Sequence, residues 1–359
     1  MKYLGFLLFM FILFACQRND DSSNPGEGPQ EEDLYFPSAS TWENVDPEGL
    51  GWNTENIDAL YDLLEISGTK GFVILYKGKI ALEAYFNGSN QNTNVAWNSA
   101  GKTLTSLMVG IAQENGFLDL DDPATDYLGA SWTSMTPEQE NAIKIWNMLT
   151  MTSGGDYTVD NTACYDPECL LYLNPPGEEW FYHNAFYTLL QPVLDAAYPE
   201  GWDNAFNTRL RNKIGMNGQW ITLGYNNVYF STARSMARYG LLVQAGGTWD
   251  GSKILDNPGY YNQMINTSQD LNPSYGYLWW LNGKSSYRLP GSTQDIPGNL
   301  IPDAPTDLIA GLGANDKKLY IVPSKDLVVV RMGDEASEEL LGPSGYDNQL
   351  WQKINAIIN

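Results

Sequence analysis

The stretch Trp97-Asn98-Ser99-Ala100-Gly101-Lys102-Thr103-Leu104 decides how this chain is read. It places a serine and a lysine three positions apart at the mouth of a periodic apolar run. Leu104, Leu107, Met108, Ile111 and Ala112 form one stripe of that run, and Gly116 stops it, which predicts a helix over 103–115. Residues three apart on a helix share a face, so the Lys102 amine is predicted to reach the Ser99 hydroxyl. A serine is a weak nucleophile until a base takes its proton. Lysine is such a base only where desolvation or nearby positive potential lowers its pKa. A helix N-terminus supplies that potential and aims the Ser99 amide at a developing oxyanion. The pair points to acyl transfer through Ser99, with Lys102 as base. A second match, Ser67-Gly68-Thr69-Lys70, lies between a helix and a strand and reads as a helix-terminal turn.

Outward from this stretch the pattern is mixed. Ile57, Leu60, Tyr61 and Leu64 mark a helix over 54–66. Residues 72–76 and 79–86, split by Lys77-Gly78, predict a β-hairpin. Leu118-Asp119-Leu120-Asp121-Asp122-Pro123 turns the chain, and 140–265 is mostly helical in pattern. Strands are expected at Tyr275–Leu281, Leu308–Leu312, Lys318–Val322 and Leu327–Met332, then a closing helix from Tyr346 to Ile358. The predicted fold class is α+β. An antiparallel sheet forms from both chain ends with flanking helices, and a mainly helical lobe, about 103–270, is inserted between them.

Composition narrows the function. The 359 residues, 43% hydrophobic, suffice for a large core. A formal charge of -23 repels phosphates, which excludes nucleic acid as a partner. His183 is the one histidine, so a zinc site with two or three histidines cannot form, and a Ser-His-Asp triad could use only this imidazole. No metal or other cofactor is expected. Asp119, Asp121 and Asp122 hint at calcium, but Ala124 stands where an EF-hand loop needs glycine, so they read as turn residues.

Residues 1–15 carry one lysine before a short apolar run, and Leu13-Phe14-Ala15-Cys16 resembles a bacterial lipobox. The expectation is a lipoprotein signal peptide over 1–15, a lipid anchor on Cys16 and a disordered acidic tether over 16–37. Such a tether spans about 25 Å. The body would then be 38–359, exported and held to a bacterial membrane through the lipid only, facing the periplasm or the cell exterior. Cys164 and Cys169 in Cys-Tyr-Asp-Pro-Glu-Cys are a candidate disulfide in that oxidising setting.

Several ordered segments resemble the serine β-lactamase and penicillin-binding-protein superfamily, in particular its class C-like members. Ser99-Ala100-Gly101-Lys102 followed by Thr105-Ser106-Leu107 looks like the nucleophile helix, and Leu118–Pro123 like the loop after it. Met148-Leu149-Thr150-Met151-Thr152-Ser153-Gly154-Gly155 resembles a Leu-Leu-Thr-His-Thr-Ser-Gly segment, with Met151 in place of histidine. Tyr182-His183-Asn184 matches Tyr-x-Asn, and Ser231–Arg238 resembles a family helix start. The resemblance implies that Tyr182 relays the Ser99 proton and that Asn184 bonds Lys102 or the substrate carbonyl. Alternation along an extended segment would turn His183 away from that cleft.

The family's third element is a strand carrying Lys-Thr-Gly or His-x-Gly. Here it aligns with Ala310-Gly311-Leu312-Gly313-Ala314-Asn315-Asp316-Lys317, where an N–H near Gly313 or Ala314 would complete an oxyanion hole. The cation that holds a substrate carboxylate is absent, and Lys317 and Lys318 read as solvated turn residues. Trp279 and Trp280 alternate to opposite faces; one, Trp280, is a candidate cleft residue and the other packs in the core. These features favour a serine hydrolase acting on a small ester, short amide or peptide-like molecule. A D-alanyl peptidase or a β-lactamase is the neighbouring alternative. A glycan-binding surface lipoprotein without catalysis is the alternative of another class, suggested by the 12 Trp and 22 Tyr.

Overall fold

The two halves of the main sheet come from stretches nearly two hundred residues apart, and its central strands are buried on both faces. In the computed structural model, strands β1 (Thr69–Tyr76) and β2 (Lys79–Tyr85) follow helix α1 (Ile57–Ile66). Lys77 and Gly78 both have positive φ, the conformation a two-residue hairpin needs. A side chain at Gly78 would also strike the Tyr35 carbonyl, so glycine is required there. The described residues are Met1, 34–339 and 342–359. The expected signal peptide beyond Met1, the Cys16 anchor and the tether up to residue 33 lie outside them.

The helix after Ser99, α2, spans Lys102–Glu114. A short strand, β3 (Val95–Ala96), precedes the serine and pairs with a hairpin of β4 (Gln219–Leu223) and β5 (Asn226–Ser231). Between α2 and helix α5 (Ala233–Gln244) the chain is mainly helical, including α3 (Asn184–Thr188) and α4 (Leu190–Ala197). It then returns to the sheet through β6 (Trp280–Leu281), β7 (Ile309–Gly313), β8 (Lys317–Val322) and β9 (Leu327–Gly333), and closes with α6 (Gly345–Ile358). The strand order is β2-β1-β9-β8-β7-β6, with every pairing antiparallel. The α+β architecture, with both chain ends in one sheet, is therefore as expected. No helix of the described residues is long and apolar enough to cross a membrane.

Four expectations need correction. The body begins before residue 38: Tyr35 N–H donates to Lys77 O at 2.9 Å, Phe36 packs edge-on to Trp249 at 5.1 Å, and Arg238 donates to Pro37 O at 3.1 Å. These contacts place residues 34–37 on the body rather than in the tether. Helix α2 has no solvent face. Every residue from Lys102 to Ala112 is buried, so the apolar stripe understates it. Its backbone meets buried phenols: Tyr239, Tyr260 and Tyr198 donate to the carbonyls of Thr103, Ser106 and Met108 at 2.6, 2.6 and 2.7 Å.

The strand expected over Tyr275–Leu281 shrinks to Trp280–Leu281. Leu278 takes a positive φ, and its N–H turns to the Leu149 carbonyl at 3.1 Å. Lys317 and Lys318 are not solvated. Both are buried in β8, and Lys318 forms ion pairs with Asp316 at 3.1 Å and Asp347 at 2.7 Å. Asp119 and Asp122 cap backbone amides of their own turn, as read, and Asp121 pairs with Lys144.

Helix α5 crosses the sheet at Gly240. A Cβ there would lie 2.5 Å from Val328 and 2.8 Å from Leu319. Gly240→Ala is expected to destabilise the fold by about 2 kcal/mol through overpacking, read as a lower denaturant midpoint with unchanged slope.

Candidate active site

The site is built where α2 begins. Asn98–Gly101 form a 3-10 turn that runs straight into α2. The turn is anchored by Trp97: its N–H donates to Tyr229 O at 2.8 Å and its indole to Ser231 Oγ at 2.7 Å. Gly101 lies beside the Trp220 ring and Tyr229 with room for a methyl in ordinary contact. Ser99 is half-buried, with Oγ 2.9 Å from Lys102 Nζ. The reach expected across one helical turn is therefore present.

Lys102 is 3% exposed and has no carboxylate partner among the described residues. Its ammonium sits over two rings, Tyr187 at 4.2 Å and Tyr182 at 4.8 Å. Ring faces attract a cation weakly, far less than water does. Burial therefore lowers its pKa to about 7. Tyr182 packs beside Ser99 and stacks on Trp280, with centroids 5.9 Å apart and planes at 18°. Burial pushes its phenol well above the usual tyrosine range, and the adjacent Ser99 hydroxyl draws it partly back. Tyr182 thus keeps its proton while Lys102 can lose its own.

The structure brings together Ser99, Lys102, Tyr182 and Trp280. Trp279 faces the other way and stacks on Tyr239 in the core. Asn184 opens α3, half-buried, and Lys102 bonds Ser99 rather than the Asn184 amide. His183 turns away, as alternation predicts. Its Nε2 lies 3.3 Å from the Asp156 carbonyl, its ring packs on Phe186, and burial lowers its pKa to about 4. Met151 ends the Ile145–Thr150 helix in a left-handed conformation, buried.

Sequence reasoning missed Tyr187. It stands one turn after Asn184 on α3, on the same face, a relation visible only once that segment is read as helical.

On the opposite wall runs β7. Leu308 accepts from Asn282 N–H at 2.9 Å and Ala310 pairs with Trp280, so the even-numbered residues of β7 face β6. Because β6 ends there, the edge beyond Ala310 is open. Gly311 presents no side chain on this strand, with Thr103 Cγ2 3.3 Å from any Cβ placed there. Gly313 lies against the serine turn, where a Cβ would meet the Trp97 carbonyl at 2.2 Å and the Ala100 nitrogen at 3.1 Å. Strand alternation turns the Gly313 amide toward Lys317, its partner in β8. The Ala314 amide faces the serine side, and the Ala314 carbonyl accepts from Asn98 Nδ2 at 2.8 Å. Neither the Ser99 nor the Ala314 N–H donates to a backbone carbonyl among the described residues.

Cys164 and Cys169 are disulfide-bonded. Their loop touches both α3 and the β4–β5 hairpin. Thr162 O accepts from Ala185 N–H at 2.9 Å, and Asp166 accepts from the Tyr225 hydroxyl at the hairpin tip. Among the described residues no cluster of three or more metal-ligating side chains occurs.

A protein-family profile described as Beta-lactamase matches residues 67–335. An uncharacterized protein of Alkalihalophilus pseudofirmus is 24% identical over 81% of this chain and 90% of its own length. A structure from Bacillus anthracis, assigned as a 6-aminohexanoate-dimer hydrolase, superposes with a TM-score of 0.66 at 20% identity. It covers 90% of this chain and 86% of its own. A penicillin-binding protein homolog from Caulobacter crescentus gives 0.64 at 12% identity, covering 88% and 99%.

A buried amine without a counter-ion costs the fold stability that a methionine of similar length would return. Lys102→Met is expected to stabilise the folded chain by about 1 kcal/mol. A urea midpoint unchanged or lowered would contradict the desolvation described here.

Proposed function

Because the chain belongs to the beta-lactamase family, we propose that it is a hydrolase that works through a covalent Ser99 ester. The observation that carries this reading is the buried, carboxylate-free Lys102 amine 2.9 Å from the Ser99 oxygen. With a pKa near 7 this amine is neutral in much of the protein at neutral pH, and it takes the Ser99 proton as Oγ bonds the substrate carbonyl carbon. The carbonyl π pair moves onto oxygen, where the Ser99 and Ala314 amides are the candidate donors. As the tetrahedral adduct collapses, the Lys102 proton passes by way of Tyr182 to the leaving oxygen or nitrogen. Water, deprotonated by the same pair, then attacks the acyl ester and frees Ser99. Tyr182 acts as a relay rather than a standing base, because burial holds its proton in place.

The substrate class follows from Gly311. With no cation on that strand position, a substrate carboxylate has nothing to pair with there, so esters and short amides are favoured over β-lactams and D-alanyl peptides. Asn184, half-buried, is the candidate substrate contact; Trp280, expected in the cleft, is buried in the core behind Tyr182, packed on Trp180 and Tyr275, and supports the phenol rather than the substrate. The disulfide suits an oxidising compartment, in keeping with export and a lipid on Cys16.

Three outcomes are expected. A fluorophosphonate probe labels the wild-type chain and not Ser99→Ala; equal labelling of the two would remove Ser99 from the mechanism. The kcat/KM for p-nitrophenyl acetate rises with pH through about 7 and then levels, since only the neutral amine is a base. The ester is turned over faster than nitrocefin; the reverse order would mean that the strand cation is dispensable for β-lactams.

A further inference from the structure

The turn joining β7 to β8 is held with unusual completeness. Asn315 and Asp316 both have φ of 57°, the left-handed conformation that asparagine and aspartate accept more readily than other residues with side chains. Here the three successive carbonyls are each tied by a side chain from elsewhere. Ala314 O accepts from Asn98 Nδ2 at 2.8 Å. Asn315 O accepts from Lys317 Nζ at 3.2 Å and from Arg331 Nη1 at 3.3 Å. Asp316 O accepts from the same Nη1 at 3.0 Å.

The Asp316 carboxylate is bound as fully. Oδ1 accepts from Ser344 Oγ at 2.6 Å and pairs with Lys318, which also pairs with Asp347. Oδ2 accepts from Ala336 N–H at 2.9 Å and Ser337 Oγ at 3.0 Å. Arg331 is fully buried; the same Nη1 also donates to Asp334 O at 2.7 Å, and its other donors go to Thr69 Oγ1 and Ser67 O. The Ala314 amide, just past the end of β7, donates to no backbone carbonyl among the described residues.

We propose that Asn98, Asp316 and Arg331 are positioning residues that fix the Ala314 amide as a preorganised donor to the reacting oxygen. The inference rests on the hydrolase reading above. A donor to an oxyanion helps only if it is already aimed when charge develops, because swinging it into place would use up the gain. An amide in a loose turn would fail that requirement. This one sits between a carbonyl pinned to the serine turn itself, through Asn98, and two left-handed residues tied to the sheet by Arg331 and to α6 by Asp316. The geometry of the nucleophile and that of its oxyanion donor are thereby set by one continuous set of bonds.

The test is steady-state hydrolysis of p-nitrophenyl acetate together with the rate of fluorophosphonate labelling, whose phosphoryl oxygen occupies the same hole. Ala314→Pro deletes the donor. Ala314 has no positive φ and Gly313 ends a strand, so neither backbone conformation forbids proline. Ala314→Pro is expected to lower kcat and the labelling rate by about 100-fold or more. Asp316→Asn and Arg331→Lys are expected to lower kcat about tenfold, with KM little changed and the pH inflection unmoved.

Near-ultraviolet circular dichroism checks the fold. If Arg331→Lys does not fold, Asn98→Gly, which suits the positive φ of 49° at that half-buried position and removes the amide, carries the same expectation. Folded Ala314→Pro with kcat within threefold of wild type would overturn the proposal. So would a kcat loss in the other variants accompanied by a moved inflection, since that would place the effect on Lys102. A wild-type chain inert to both ester and probe would instead sink the hydrolase reading on which the proposal stands.

Discussion

The structure depends on keeping one amine dry. Lys102 lies at the start of a helix buried on every side, between two tyrosine rings and without a carboxylate to hold its proton. That arrangement disfavours the charged form, and the free energy for it must come from packing elsewhere. The molecule supplies it through size: α2 is wedged between the sheet side and the helical lobe, and both contribute large aromatic groups to enclose it. Had the helix kept a solvent face, water would have restored the lysine to its ordinary pKa and removed the base.

The aromatic richness of the chain belongs largely to this enclosure. Tyr198, Tyr239 and Tyr260 each bury a ring and send the hydroxyl to a carbonyl of α2. A buried phenol needs an acceptor, and a helix carbonyl has a lone pair to spare. Trp180, Tyr275 and Trp280 wall in Tyr182 with ring centroids 5 to 6.5 Å apart. The abundance of Trp and Tyr, which by composition alone would equally suit a sugar-binding surface, is thus mostly internal. Somewhat more than half of the described Trp and Tyr residues are buried, and most of the others are only partly exposed.

Much of this was legible in the sequence. The hairpin at Lys77-Gly78, the strands near the C-terminus and the helix after Ser99 follow from local periodicity, and their order predicts one sheet from both chain ends. The Ser99–Lys102 contact follows from helical spacing alone. What escaped did so for tertiary reasons. Lys317 and Lys318 read as solvated because charged pairs beside a turn usually are. The burial of Lys318 depends on Asp347, about thirty residues further on, and on Asp316, while Lys317 is buried beside the like charge of Arg331 from the next strand. Leu278 has the composition of a strand residue, yet its amide is claimed by Leu149 from the helical lobe. Tyr187 was overlooked because Tyr182–Asn184 was read as extended, whereas helix begins at Asn184 and carries the ring one turn onward.

The lone histidine is sequestered against Asp156 with its pKa near 4, while two buried lysines, Lys102 and Lys317, are brought down to about 7 and 8. The usual assignment of roles is therefore inverted. Across neutrality the imidazole is electrically silent and the amines change charge. Proton counting on the folded chain in that range, by titration calorimetry or potentiometry, would register lysine chemistry where one ordinarily looks for histidine.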